Sequence, residues 1–213
     1  MFNIKKRILI MRETFIKLLQ SQPSQNFGNT NTKINIHIPI RGEMLKYCMD
    51  INQEIQKITS SYVSFNPDSF QIPHITLYMG FVKNQNDYIQ IMKRVYEISK
   101  ELKIFEITPL KAYLKGPKKN YIFIDTEQAE FIIELKKIFK KELDEYIEPL
   151  TWDVVSGIPH ITIGYIKQDF SLVEELLIDY PIGYSFYADA VEISYGGPWG
   201  SCIGSIRTFE FLK

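Results

Sequence analysis

Pro73-His74-Ile75-Thr76-Leu77 returns as Pro159-His160-Ile161-Thr162-Ile163, and these two stretches hold two of the three histidines in 213 residues. Each lies in an alternating, β-branched run, so each reads as a strand. Residues two apart on a strand share a face. The alternation therefore sets His74 beside Thr76, and His160 beside Thr162, with Ile75 and Leu77 turned to a core. Two imidazoles, each with a hydroxyl next to it, suit a phosphate held from both sides.

The flanking chain repeats as well. A strand from Ile34 to Ile40 leads to a helix over Glu43 to Thr59, an irregular stretch over Ser60 to Ile72, the first motif strand (His74 to about Val82) and a helix over Tyr88 to Leu102. Two strands then follow, Ile104 to Leu114 and Asn120 to Asp125. Thr126 caps a helix running to Tyr146, the second motif strand covers His160 to Ile166, and a short helix covers Asp169 to Leu177. Strands over Tyr184 to Tyr195 and Ser201 to Leu212 flank Gly196-Gly197-Pro198-Trp199-Gly200. The expected fold is α+β. Two pseudo-symmetric lobes with antiparallel-rich sheets form a central cleft, with helices outside. The 86 positions between His74 and His160 give one lobe its length.

Residues 1–32 read as an extension: a helical pattern (Ile8, Met11, Phe15, Leu18, Leu19) and a polar linker from Gln22 to Thr32. The main domain covers 33–213. Lys5, Lys6 and Arg7 precede only four apolar residues, too few for a signal-peptide core. No stretch reaches membrane-span length. Cys48 and Cys202 fit neither a zinc spacing nor a secreted disulfide framework, which points to a reducing, cytoplasmic setting. The formal net charge is zero, so no global field draws in long nucleic acid, and a monomer is the expected state.

Phosphodiester displacement needs one group to take a proton from the nucleophile and another to give one to the departing oxygen. Histidine serves both roles near neutral pH, and threonine hydroxyls can bind the non-bridging oxygens. With no acidic or His/Cys cluster to hold a metal, the expected chemistry needs none, and no cofactor. Two His-x-Thr motifs, one per lobe, resemble those of the two-histidine (2H) phosphoesterase superfamily, whose members include LigT-like 2′-5′ RNA ligases and cyclic phosphodiesterases. The resemblance spans Lys33 to Lys213. It implies that His74 and His160 are the acid/base pair and that Thr76 and Thr162 hold phosphate, with either histidine as the base. The ligase branch commonly carries arginine three positions after the second motif's threonine. Here that position is Tyr165, with Met79 in the first copy, so a hydrolase of cyclic nucleotides or of short 2′-5′ or cyclic oligonucleotides is the leading expectation. An RNA-end-processing ligase and a non-catalytic RNA-binding module are the alternatives.

Candidate substrate contacts are His37 on the first strand, Tyr78 on the face of His74 and Thr76, and Tyr121 and Phe123 on a neighbouring strand. Tyr195 and Trp199 flank the Gly-rich turn. Aromatics of this kind can stack on a nucleobase of a nucleotide, cyclic oligonucleotide or short RNA. Lys115, Lys118 and Lys119 form a basic hairpin tip whose simplest role is a solvated turn.

Overall fold

The computed structural model describes residues 32–66, 69–116, 118, 120–150, 157–180 and 182–212. The expected N-terminal helix over residues 3–20, most of its linker, and Lys119 lie outside these. In chain order the described elements are β1 (Thr32–Pro39), α1 (Gly42–Ile58), β2 (Gln71–Ile72), β3 (His74–Val82), α2 (Gln85–Ser99), β4 (Phe105–Ile107), β5 (Pro109–Lys115), β6 (Tyr121–Thr126), α3 (Ala129–Leu143), β7 (Ile147–Pro149), β8 (His160–Tyr165), α4 (Phe170–Asp179), β9 (Phe186–Ala188), β10 (Ala190–Gly196) and β11 (Cys202–Glu210).

Both lobes share one antiparallel sheet of nine strands, ordered β2-β11-β10-β1-β3-β8-β6-β5, with β7 also paired to β3. The last two strands return to the first lobe, where β10 pairs with β1. The motif strands β3 and β8 are neighbours, joined by a single pair, Ile75↔Ile161. One rung between two longer ladders lets the sheet curl at the seam, and the curl makes the cleft. The expected α+β fold with a central cleft is the one found, built on a common sheet instead of two separate ones.

Both faces of β1 are buried, with isoleucines on one and Asn35 and His37 on the other. Ile34, Ile36 and Ile38 are wholly buried, and removing each such side chain from water is worth about 2 kcal/mol. The helices meet this face with apolar stripes at helical spacing: Met44, Cys48, Ile51 and Ile55 on α1, and Ile132, Leu135, Phe139 and Leu143 on α3. They pack crosswise, α1 against β8 and α3 against β3, so each half's helix supports the other half's motif strand. Cys48 and Cys202 are buried free thiols.

Several boundaries differ from the sequence expectation. Thr126 ends β6 and caps nothing. The residue before α3 is Gln128, whose side-chain oxygen instead accepts from the Thr108 N–H. The strand expected over Ile104 to Leu114 breaks at Thr108 into β4 and β5, and that over Tyr184 to Tyr195 breaks at Asp189 into β9 and β10. The two detached pieces, β4 and β9, pair with each other. Among the described residues no helix is long and apolar enough to cross a membrane.

Both motif strands carry a β-bulge at the same place. On β3, Thr76 pairs with His37 and Tyr78 with Ile36, leaving Leu77 unmatched. On β8, Thr162 pairs with Phe123 and Gly164 with Ile122, leaving Ile163 unmatched. A bulge leaves a residue outside the ladder and shifts every later side chain to the opposite face. The Ile163 carbonyl is satisfied by the buried Asn52 amide of α1 at 2.7 Å, which also bonds the Val63 carbonyl and the Phe65 N–H.

Candidate active site

A cavity of about 600 Å³ opens at the seam between β3 and β8. His74, Thr76, His160 and Thr162 all line it. The two histidines are held alike. His74 Nδ1 lies 2.8 Å from the Ile72 carbonyl, and His160 Nδ1 lies 2.7 Å from the Ile158 carbonyl. In both copies an intervening proline confines the preceding isoleucine to extended backbone, presenting that carbonyl to the ring. A carbonyl can only accept, so Nδ1 carries hydrogen in each ring and Nε2 is the atom left for chemistry.

The two surroundings differ. His74 is 7% exposed, and burial, reinforced by nearby His37, lowers its pKa to about 3. Asn35 donates toward His74 Nε2 at 3.2 Å and toward Thr76 Oγ1 at 3.2 Å. His160 is half-buried and stacks on Phe123, ring centroids 3.7 Å apart and 18° from parallel. Its pKa is also lowered, chiefly by burial.

The bulges decide which aromatics reach the cavity. Tyr78, expected beside His74 and Thr76, falls on the opposite face because Leu77 takes up the extra position. Its hydroxyl bonds Asp144 at the end of α3, and Met79 lines the cavity in its place. Tyr195, also expected at the site, pairs with Ile34 on the core-facing side, close to Tyr88 of α2. His37 does lie on the expected face, opposite Thr76. It is wholly buried behind His74, with its ring 5.0 Å from the His74 ring and its Nε2 3.7 Å from Glu192. It does not line the cavity.

Tyr121, Phe123 and Trp199 line the cavity as expected. Trp199 sits in a 3₁₀ turn (Pro198–Gly200) with φ +57°, a left-handed conformation costly for a bulky side chain. The turn is closed by a 2.7 Å bond from Gly197 N–H to the Ser201 carbonyl and tied to β1 by Lys33 Nζ, 2.8 Å from the Gly197 carbonyl. Trp199 stacks on Tyr165 at 4.8 Å and 14°, and Tyr121 meets Tyr165 at 4.5 Å. One side of the cavity is therefore aromatic.

Four cavity neighbours went unrecognised in the sequence. Asn35 alternates with His37 on β1, so the strand pattern offered it, but only register reveals its contact with His74. Met79 and Tyr165 were noticed as departures from an arginine position, without the bulge that brings them inward. Lys136 of α3, 3% exposed and 2.9 Å from the Gly157 carbonyl, left no signal, since one lysine on a helix has no pattern of its own. The hairpin lysine Lys115 lies over the Tyr113 ring, 5.8 Å away, and lines no part of this cavity. Among the described residues no group of three or more His, Cys, Asp or Glu is placed to hold a metal ion.

The curled antiparallel sheet is similar in fold to solved LigT-like structures. E. coli LigT in its apo form superposes with a TM-score of 0.61 at 11% identity, covering 86% of this chain and 99% of LigT. TT0787 of Thermus thermophilus gives 0.59 at 14% identity, covering 84% and 97%. In sequence, a Bacillus licheniformis protein named "Putative phosphoesterase BLi01284/BL02661" is 26% identical over 121 residues, 55% of this chain and 68% of that protein. No protein-family model matches the chain.

Proposed function

We propose that this protein is a phosphodiesterase that hydrolyses cyclic nucleotides or short 2′-5′ or cyclic oligonucleotides by paired histidine acid/base catalysis. The observation that carries the reading is the duplicated geometry: two imidazoles, each with Nδ1 tied to a carbonyl and each beside a threonine hydroxyl, lining one cavity. One Nε2 accepts a proton from water as its oxygen attacks phosphorus. The other gives a proton to the ester oxygen as the P–O bond breaks, and the net change is addition of water. Thr76 and Thr162 donate to the non-bridging oxygens, where charge is held in the transition state. Both proton steps are supplied by side chains, so the reaction proceeds without a metal.

The aromatic side supports the nucleotide part of this reading. Phe123, stacked on His160, lines the cavity together with Tyr121 and Trp199, and a nucleobase stacks on aromatic faces without regard to sequence. The resemblance to LigT adds to it, since LigT has been solved with 3′-AMP and with ATP. The test is turnover of 2′,3′-cyclic nucleotides, cyclic dinucleotides and 2′-5′ oligoadenylate by the full chain in EDTA. Product from at least one class is expected. RNA binding without product from any would overturn the reading in favour of a binding module.

Trp199→Gly removes the stacking face while relieving the left-handed backbone. Its expected effect is a rise in KM of about 10-fold, from the roughly 1–3 kcal/mol of a base–aromatic stack, with kcat less affected and no loss of thermal stability. Steady-state kinetics and a melting curve check both.

A further inference from the structure

The two motifs are equivalent in backbone and unequal in company. His37 opposite Thr76 corresponds by register to Phe123 opposite Thr162, and Asn35 opposite Met79 corresponds to Tyr121 opposite Tyr165. The first histidine thus has an amide beside it where the second has rings. Asn35 is wholly buried on the middle of β1. Its amide nitrogen faces His74 Nε2 and Thr76 Oγ1 at 3.2 Å each, the Gly200 carbonyl at 3.5 Å and Met79 Sδ at 3.8 Å. The carbonyl and the thioether can only accept, so the NH₂ end of the amide belongs on this side. The Asn35 Oδ1 has no hydrogen-bond partner, which costs about 1–3 kcal/mol of desolvation that the contacts at the nitrogen must offset.

We propose that Asn35 is a positioning residue that makes His74 the proton acceptor of the pair and leaves His160 as the proton donor. The proposal rests on the phosphodiesterase reading above. An NH₂ group has two hydrogens. One directed at His74 Nε2 selects the ring form with a lone pair there, since the Ile72 carbonyl already holds hydrogen on Nδ1. The other, directed at the Thr76 oxygen, leaves the Thr76 O–H to donate into the cavity. His160 has no such amide among its described neighbours; Lys136 and Lys115 disfavour its protonated ring and Asp125 favours it, and the pair's proton is assigned to this ring. Other charged or titratable groups around His74 act on it too. His37, backed by Glu192 and Cys202, lies behind it, and His160 lies across the cavity. The Gly200 carbonyl favours the protonated ring, so Asn35 and Gly200 pull the same ring in opposite directions.

Asn35→Asp and Asn35→Ala in the full chain test this, each read by the pH profile of kcat/KM and by ¹⁵N NMR of histidine-labelled protein. A carboxylate in place of the amide favours the imidazolium. The acid limb is therefore expected to move up by about one pH unit or more, and the pH at which the His74 nitrogens take up a proton to rise with it. Asn35→Ala is expected to lower kcat about 10- to 100-fold, with KM changed less. Profiles that superimpose on the wild type, together with unchanged His74 nitrogen signals in a folded Asn35→Asp variant, would overturn the assignment. The NMR arm needs no substrate. If the wild type turned over nothing while Asn35→Asp still shifted the His74 nitrogens, the phosphodiesterase reading would fail and the effect of Asn35 on His74 would stand. Should Asn35→Asp not fold, Asn35→Ala carries the NMR arm: without the amide at His74 Nε2 the His74 nitrogen signals are expected to depart from the wild-type pattern, and an unchanged pattern in folded Asn35→Ala would overturn the assignment.

Discussion

His74→Ala and His160→Ala are each expected to lower kcat/KM by about 10³-fold or more, and the double variant by little beyond the worse single one. General acid–base groups contribute roughly 10²–10⁴-fold each. Here the two act on a single displacement, in which the nucleophile's proton and the leaving group's proton are handled together, so losing either stops both. Effects of residues that act as a unit do not add. Both side chains stand on strands of the central sheet, and His160 is only half-buried, so His160→Ala is expected to fold. Kinetics on the best substrate of the panel decide the matter. Full activity in either single variant would remove that histidine from the mechanism, and additive losses would mean that the two act in separate steps.

The second large effect concerns stability against acid. Folding holds His74 neutral, with its pKa at about 3 against an ordinary 6.5. Below pH 6.5 the unfolded chain takes up a proton that the folded chain refuses, so the unfolded state gains as pH falls. The contribution is fully present above about pH 6.5, declines through the interval down to about pH 3 and is flat below it. At its steepest the decline is about 1.4 kcal/mol per pH unit. His160, whose pKa burial also lowers, adds in the same direction. Urea unfolding at about pH 7 and about pH 4.5 is expected to show His74→Gln losing about 2 kcal/mol less than the wild type between those values. Equal losses in the two proteins would mean that folding does not lower the His74 pKa. The same inequality bears on catalysis. A proton shared by the pair favours His160, which is the arrangement that acid donation from that side needs.

How much of this could be read from the letters depends on which contacts are local. The duplicated phrase needs only period two to place His beside Thr, and the duplication itself implied two related halves facing one cleft. Alternation then failed one residue later. Leu77 and Ile163 look like ordinary strand residues, and nothing in their chemistry marks a bulge, so Tyr78 was assigned to the face that Met79 occupies. Trp199 was legible because an aromatic among glycines is seldom there for packing. Tyr195, four positions earlier, has the same composition around it and the opposite orientation, which only its pairing with Ile34 reveals. Asn35 is the clearest case of non-local information. Its partners lie 39 and 41 positions away across β1 and β3, and no motif joins them.

The single rung between β3 and β8 has one more consequence. The two imidazoles stand on strands joined at Ile75 and Ile161, so the gap across which they work is a dimension of the sheet. On the proposed reading, selection among substrates would fall to the rim, to the Trp199 turn and the rings beside it.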